Sequence, residues 1–205
     1  DISSNLFSYE EYEHIGKVSF LLEDMFKKWE NNNKFKKHFV AKDDSLLIDE
    51  LSVELSVSPD IAFLMYTKPK WRKLTFHADK INVFNSGKGI QGVGTELHCH
   101  HGGEVAKMEI MDWNPGEYIT IKLLQKYGLF LLNTNEFIKT ENGCIMNMRF
   151  SSELQGGNLL SKFMKGKLVK QLKSTYPVAM SGFLQGMQEF SKTILNDNLE
   201  KKQSN

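Results

Sequence analysis

Between Thr75 and Leu154 the chain is cut at short intervals by turn signals, and that spacing limits the folds open to it. Six segments of strand length follow one another: TFHADKINVFN, GTELHCHH, VAKMEIMDW, YITIKLLQKY, FLLNTNEFIKT and CIMNMRFSSEL. Between them stand Asn85-Ser86-Gly87, Gly102-Gly103, Asn114-Pro115-Gly116, Gly128 and Glu141-Asn142-Gly143. A parallel pair of strands needs a long crossover, whereas connections this short join antiparallel neighbours. The segments predict an antiparallel meander.

A further strand precedes the meander. In IDELSVELSVSPD, Leu51, Val53, Leu55 and Val57 alternate with Ser52, Glu54 and Ser56, the period of a strand with one buried face. Ser58-Pro59-Asp60 ends it and opens a short helix, PDIAFLMYT, with Pro59 in the first turn and Lys68-Pro69 as its expected end. After the meander the period changes to that of a helix. Leu159, Leu160, Phe163, Met164, Leu168 and Leu172 form one stripe, and beyond Pro177 a second runs through Met180, Phe183, Leu184, Met187, Phe190, Ile194 and Leu195. A long antiparallel sheet twists and curls, and the apolar C-terminal helix has to cover its concave side. The expected class is α+β: a curled antiparallel sheet of about seven strands around a long C-terminal helix, with a natural pocket between them.

An extra helix is expected at the N-terminus, in SYEEYEHIGKVSFLLEDMFKKWENNN. Tyr12, Ile15, Val18, Leu22, Met25, Phe26 and Trp29 recur three or four apart, and Ser8 with Glu11 makes a capping box. This stripe is surplus to the sheet-and-helix unit. The expected organisation is an extension and connector over 1–46, a ligand-binding domain over 47–196 and a frayed tail over 197–205. The extension is expected to dock on the outside of the sheet domain or against a second copy of the chain, and to link to an upstream domain. The sequence starts at Asp1 without a Met, as a segment cut from a longer protein would.

In order and spacing these motifs resemble the helix-grip proteins of the START, Bet v 1 and polyketide cyclase superfamily, from about Leu51 to Leu195. VELSVSPDIAFLMYTKPKWRKL is similar to their strand, small-polar-Pro helix start and Trp-containing segment. GVGTELH is similar to a Gly-x-Gly-Thr strand entry, and EIMDWNPGEYITIK to the hairpin that follows. ENGCIMNMRFSSE is similar to the last hairpin, with Cys144 where many members carry Thr. HCHHG with DWNP is also similar to an uncharacterised bacterial branch in which such domains accompany a nucleotide-cyclase-like domain. The resemblance implies a helix-grip fold and a cavity. It does not imply one activity, because the superfamily holds carriers, receptors, cyclases and co-chaperones.

Function classes narrow by exclusion. The chain has 26 basic and 25 acidic residues, so no global field recruits nucleic acid. No apolar run is long enough for stable membrane insertion. Two cysteines, Cys99 and Cys144, make no disulfide framework, which suits a cytoplasmic protein. The lysines of SKFMKGKLVKQLK read as a solvated helix face, and Gly89–Gly94 lacks the Lys-Ser/Thr ending and following helix of a phosphate loop.

His98-Cys99-His100-His101 packs three of the six histidines and one of the two cysteines together. On a strand, neighbours point to opposite faces. Val93, Thr95, Leu97, Cys99 and His101 form the more apolar set and are expected to face the cavity, with His98 and His100 outside. No third ligand marks a metal site, so no metal or other cofactor is expected. No orienting group marks Cys99 as a nucleophile, so no catalytic residue is assigned. Asp112 reads as a turn-capping carboxylate and Arg149 as outward-facing. The expected ligand-binding residues are Leu97, Cys99, His101, Met108, Met146, Met148, Met180, Phe183, Leu184 and Met187. Flexible thioethers suit a pocket that moulds to an apolar guest. The expected partner is a small hydrophobic molecule, lipid-, polyketide- or aromatic-like, bound in a carrier, sensor or regulatory role. The alternatives are a cyclase, dehydratase or hydrolase on the same scaffold, and a filled-core interaction domain of a larger regulatory protein.

Overall fold

The computed structural model describes residues 38–44, 46–85, 91–124, 129–154 and 159–203. The helix expected between Ser8 and Trp29 and the turn signals Ser86-Gly87 and Gly128 lie outside the described residues. Strand β1 (Leu47–Leu55) leads into two short helices, α1 (Pro59–Thr67) and α2 (Pro69–Thr75). Six strands follow: β2 (Lys80–Phe84), β3 (Glu96–His101), β4 (Glu104–Asn114), β5 (Tyr118–Leu124), β6 (Leu129–Thr140) and β7 (Gly143–Leu154). Helix α3 (Leu159–Gln203) closes the order.

Every pairing is antiparallel, in the order β1-β7-β6-β5-β4-β3-β2, so the meander closes back on the first strand. The alternation in β1 comes out as read: Leu51, Val53 and Leu55 join the main core, together with Val57 just beyond the strand. The inner face of the sheet carries Leu97, Cys99, Met108, Ile110, Ile119, Ile121, Leu131, Phe137, Cys144, Met146, Met148 and Phe150. It packs against α1, α2 and, from α3, Phe183, Met187, Phe190 and Ile194. The fold is α+β, a seven-stranded curled sheet around a long C-terminal helix.

Three local features differ from expectation. Pro69 does end α1, but it also opens α2 from its first turn, a position where the missing N–H costs nothing. Val93 is exposed rather than inward, because it lies in the turn before β3. Pro177 does not divide the C-terminal helix: α3 is continuous through it, although Pro177 cannot donate to the Lys173 carbonyl one turn back.

The outer face is covered too. Val40, Phe130 and Leu132 form a second apolar cluster with Leu47 and Met111. The Val40 amide donates to Thr134 Oγ1 at 2.9 Å, and the Phe39 ring meets Tyr118 edge-on at 5.2 Å. Arg149 faces outward, as read, where it pairs with Glu50 and Glu136 at 3.1 Å each and lies over Phe39. The extra residue Met111 sits between the pairs Ile110↔Ile121 and Asp112↔Thr120. Asp112 accordingly caps no turn by its side chain; it is buried and accepts the Tyr118 hydroxyl at 3.3 Å.

Candidate functional site

The histidine run resolves by face. Leu97 and Cys99 are buried in the main core, while His98 and His100 point the other way, toward β2. The His98 ring lies against Phe84, with centroids 4.6 Å apart and planes tilted by 49°, and its Nε2 is 3.6 Å from a Glu96 carboxylate oxygen. His100 Nε2 meets the Asn82 amide at 3.2 Å. Among the described residues, no three His, Cys, Asp or Glu side chains gather as a metal ion would require.

The inner face is not uniformly apolar. Arg72, from α2, is fully buried. Its guanidinium lies over two rings, 4.6 Å from Tyr66 and 4.5 Å from Phe76. Nη1 donates to the Tyr66 carbonyl at 3.2 Å and Nη2 to the Met108 thioether at 3.0 Å. Nε has no hydrogen-bond partner among the described residues, and no carboxylate there pairs with the cation. Thioether sulfur is a weak acceptor, so the charge is poorly compensated for its burial.

Beside it the Tyr66 hydroxyl donates to Asn133 Oδ1 at 3.2 Å, and the Asn135 amide donates to that same oxygen. Asn133 Nδ2 and Asn135 Oδ1 have no partner among the described residues. Burial pushes the Tyr66 phenol and the Cys99 thiol up from their ordinary values, with the Arg72 charge opposing the shift in both. Both groups are neutral near pH 7. The cluster thus offers hydrogen-bond donors and a fixed positive charge, and neither a thiolate nor a general base.

A separate cleft of about 370 Å³ opens where the end of β1, the β6–β7 turn and α3 meet. Glu54, Ser56, Thr140, Glu141, Gln188 and Lys192 line it, with Cys144 as its link to the core. It shares no lining residue with the Arg72 cluster. Its mixed charges and polar rim give it no evident selectivity, and the interior cluster is the more specific chemistry.

No family model matches the chain, and no curated protein matches it by sequence. Solved structures do match. A Staphylococcus aureus protein of unknown function, SA2116, is 15% identical with a TM-score of 0.54, covering 72% of this chain and 94% of its own. The di-domain ARO/CYC protein StfQ of the steffimycin biosynthetic pathway is 15% identical with a TM-score of 0.53, over 74% of this chain. The match spans about half of StfQ, 52% of its length. A Rhodobacter sphaeroides protein is 10% identical with a TM-score of 0.51, over 71% of this chain and 91% of its own. The fold shared with these structures is a helix-grip fold, a curled antiparallel sheet around a long C-terminal helix. At these identities the likeness concerns the fold alone.

Within the helix-grip fold the residues expected from sequence to meet a ligand have definite places. Leu97, Cys99, Met108, Met146, Met148, Phe183 and Met187 are buried in the main core, and Met180 and Leu184 pack at its edge. His101 is half-buried at the last position of β3, opposite Glu104 at the hairpin turn. Sequence reasoning missed Arg72, Tyr66, Asn133 and Asn135. The two asparagines had a signal: in Leu131-x-Asn133-x-Asn135-x-Phe137 the alternation that turns Leu131 and Phe137 inward turns the asparagines inward as well.

The buried acids make the fold sensitive to alkali. Burial pushes the Cys144 thiol up to about 12 from 9.0, and the phenols of Tyr66, Tyr118 and Tyr176 are raised too. The unfolded chain therefore releases these protons at a lower pH than the folded one. Their contribution is fully present below about pH 9 and is lost as the pH rises through about 12. The urea midpoint is expected to fall steadily above pH 9. A flat profile through that window would mean that these groups are solvated in the folded state.

Proposed function

We propose that this chain is a binding module for a small, largely apolar molecule, held between the inner face of the sheet and α3 with its polar end at the Arg72–Tyr66–Asn133–Asn135 cluster. The observation that carries this reading is the set of unpartnered polar atoms, Arg72 Nε, Asn133 Nδ2 and Asn135 Oδ1, within a core of methionine, aliphatic and aromatic side chains. Buried polar groups cost free energy when left unpaired, roughly 1–3 kcal/mol each. A guest that supplies acceptors and a donor there recovers that cost, and Met108, Met146, Met148 and Met187 supply walls that can repack around it.

Tyr66 and Cys99 are held neutral, which favours binding over acid–base catalysis as the primary role. An enzyme of the ARO/CYC kind named for StfQ is the second reading, since Arg72 and the Tyr66 hydroxyl are donors able to polarise a bound carbonyl. The binding unit in this proposal is 47–196, in a cytoplasmic carrier, sensor or regulator. The extension over 1–46 docks on the outside of the sheet domain or against a second copy, and links to an upstream domain. No helix among the described residues is long and apolar enough to cross a membrane.

Native mass spectrometry of the protein as purified tests the proposal. A co-purifying small molecule, lost after gentle denaturation and refolding and absent from Asn133→Leu/Asn135→Leu, is the expected result. A single apo mass, with no uptake from a panel of lipids and aromatic acids, would favour a filled-core interaction domain instead.

A further inference from the structure

The polar end of the guest can be specified further from the geometry of Arg72, an inference that rests on the binding reading above. A guanidinium presents its N–H groups in fixed pairs, and the pair formed by Nε and Nη2 along one edge matches the two oxygens of a carboxylate. In this protein the other terminal nitrogen, Nη1, is committed to the Tyr66 carbonyl. The Nε–Nη2 edge is the one left for a guest: Nε is unpartnered among the described residues, and Nη2 has only the Met108 sulfur. The guanidinium carbon lies 4.6 Å from the Tyr66 ring centroid and 4.5 Å from that of Phe76, and Phe183 from α3 lies against both rings, at 6.0 Å from Tyr66 and 4.1 Å from Phe76. The site is buried, positive and held at Nη1 by the Tyr66 carbonyl.

Among the described residues no other cation is placed this way. Arg149, the other guanidinium described, is on the outer face with Glu50 and Glu136 already on it. Lys192 borders the rim cleft together with Glu54 and Glu141. Arg72 differs from both in having a cation in the apolar interior and no anion among the described residues to meet it.

We infer that the guest is an amphipathic organic anion, an apolar body ending in a carboxylate or a carboxylate-like enolate, whose two oxygens bridge Nε and Nη2 of Arg72 in place of the Met108 thioether. The Asn133 and Asn135 amides then address a second polar group further along the guest, next to the Tyr66 hydroxyl. A hydrocarbon would leave the guanidinium as poorly paired as it is without a guest, and a neutral lipid would leave its charge without a counter-ion.

The test compares matched probes on the full chain near neutral pH, where a carboxylic acid is ionised and its ester is not. The probes are dansylated undecanoate and its methyl ester, and naphthoate and its methyl ester, each followed by its own fluorescence. The wild type is expected to bind at least one acid about ten-fold or more tightly than the matching ester, the size of one charge-assisted contact. Arg72→Met is expected to lose that preference, weakening the acid much more than the ester, because only the acid carries a charge for the guanidinium to pair. Equal binding of acid and ester by the wild type would overturn the inference and leave the apolar pocket standing. So would a preference that survives in Arg72→Met, since another cation would then be selecting the anion. Failure of all four probes to bind would overturn the binding reading itself. The wild-type ratio stands as a test even if the variant folds poorly.

Discussion

Arg72→Met is expected to stabilise the fold by about 1–4 kcal/mol while removing its selectivity for anions. The reasoning runs against the usual effect of a core substitution. A buried charge without a counter-ion carries a desolvation cost of several kcal/mol, and the offsets found here are small. A cation over an aromatic face contributes about 0.5–2 kcal/mol, and one hydrogen bond to a carbonyl about 1. Methionine has a similar length, packs well between rings and leaves no charge behind. The measurement is urea unfolding, with the midpoint rising and the slope unchanged. A loss of several kcal/mol instead would make Arg72 a satisfied structural anchor and remove the ground for expecting a guest there. Arg72→Ala is a poorer probe, because the cavity it opens would mask the gain from losing the charge.

Phe183→Ala is expected to cost about 3–5 kcal/mol, the range for a large aromatic removed from a packed core. Phe183 is buried, and its ring lies against both Phe76 and Tyr66, the two rings that hold Arg72. The same truncation removes cover from the site, so uptake of an apolar dye is expected to rise as stability falls. Urea unfolding and dye titration on one sample separate the alternatives. A cost well under that range would mean that Phe183 borders an open cavity with few contacts to lose. A full cost with unchanged dye uptake would argue for a filled core.

The contrast between Asn133 and Arg72 shows where sequence reasoning reaches and where it stops. Strand faces follow from a period of two, so Cys99 inward, His100 outward and the outward turn of Arg149 could all be read from neighbours of known character. Asn133 and Asn135 were legible on the same ground, from Leu131 and Phe137 on either side. Arg72 was not. It sits in Lys68-Pro-Lys-Trp-Arg-Lys73, a stretch that reads as a solvated basic run, and a helix of seven residues is too short for its period to show which face is buried. Only the packing of α2 beneath α3, with Arg72 between Tyr66 and Phe76, turns this one cation inward. Asp112 eluded the reading for a related reason: the extra residue at Met111 changes the count by one, and sequence does not announce a bulge. For His101, alternation assigns a side but not a depth, and the residue is half-buried at the hairpin end of β3.

Pro177 gives the long helix two unequal arms. Downstream, Phe183, Met187, Phe190 and Ile194 bind that arm to the core at turn after turn. Upstream, the described side chains that reach the core are Leu172 and Tyr176, and Tyr176 rests on Phe150 at 4.7 Å. At the junction the backbone ladder lacks the bond that Pro177 cannot make, and the Ser174 and Thr175 hydroxyls turn back onto the Gln171 carbonyl. Bending a helix is cheapest where its own bonding is already interrupted. Any bend of α3 is therefore cheapest here, and it would displace the upstream arm while the downstream arm, the sheet and the Arg72 cluster keep their contacts.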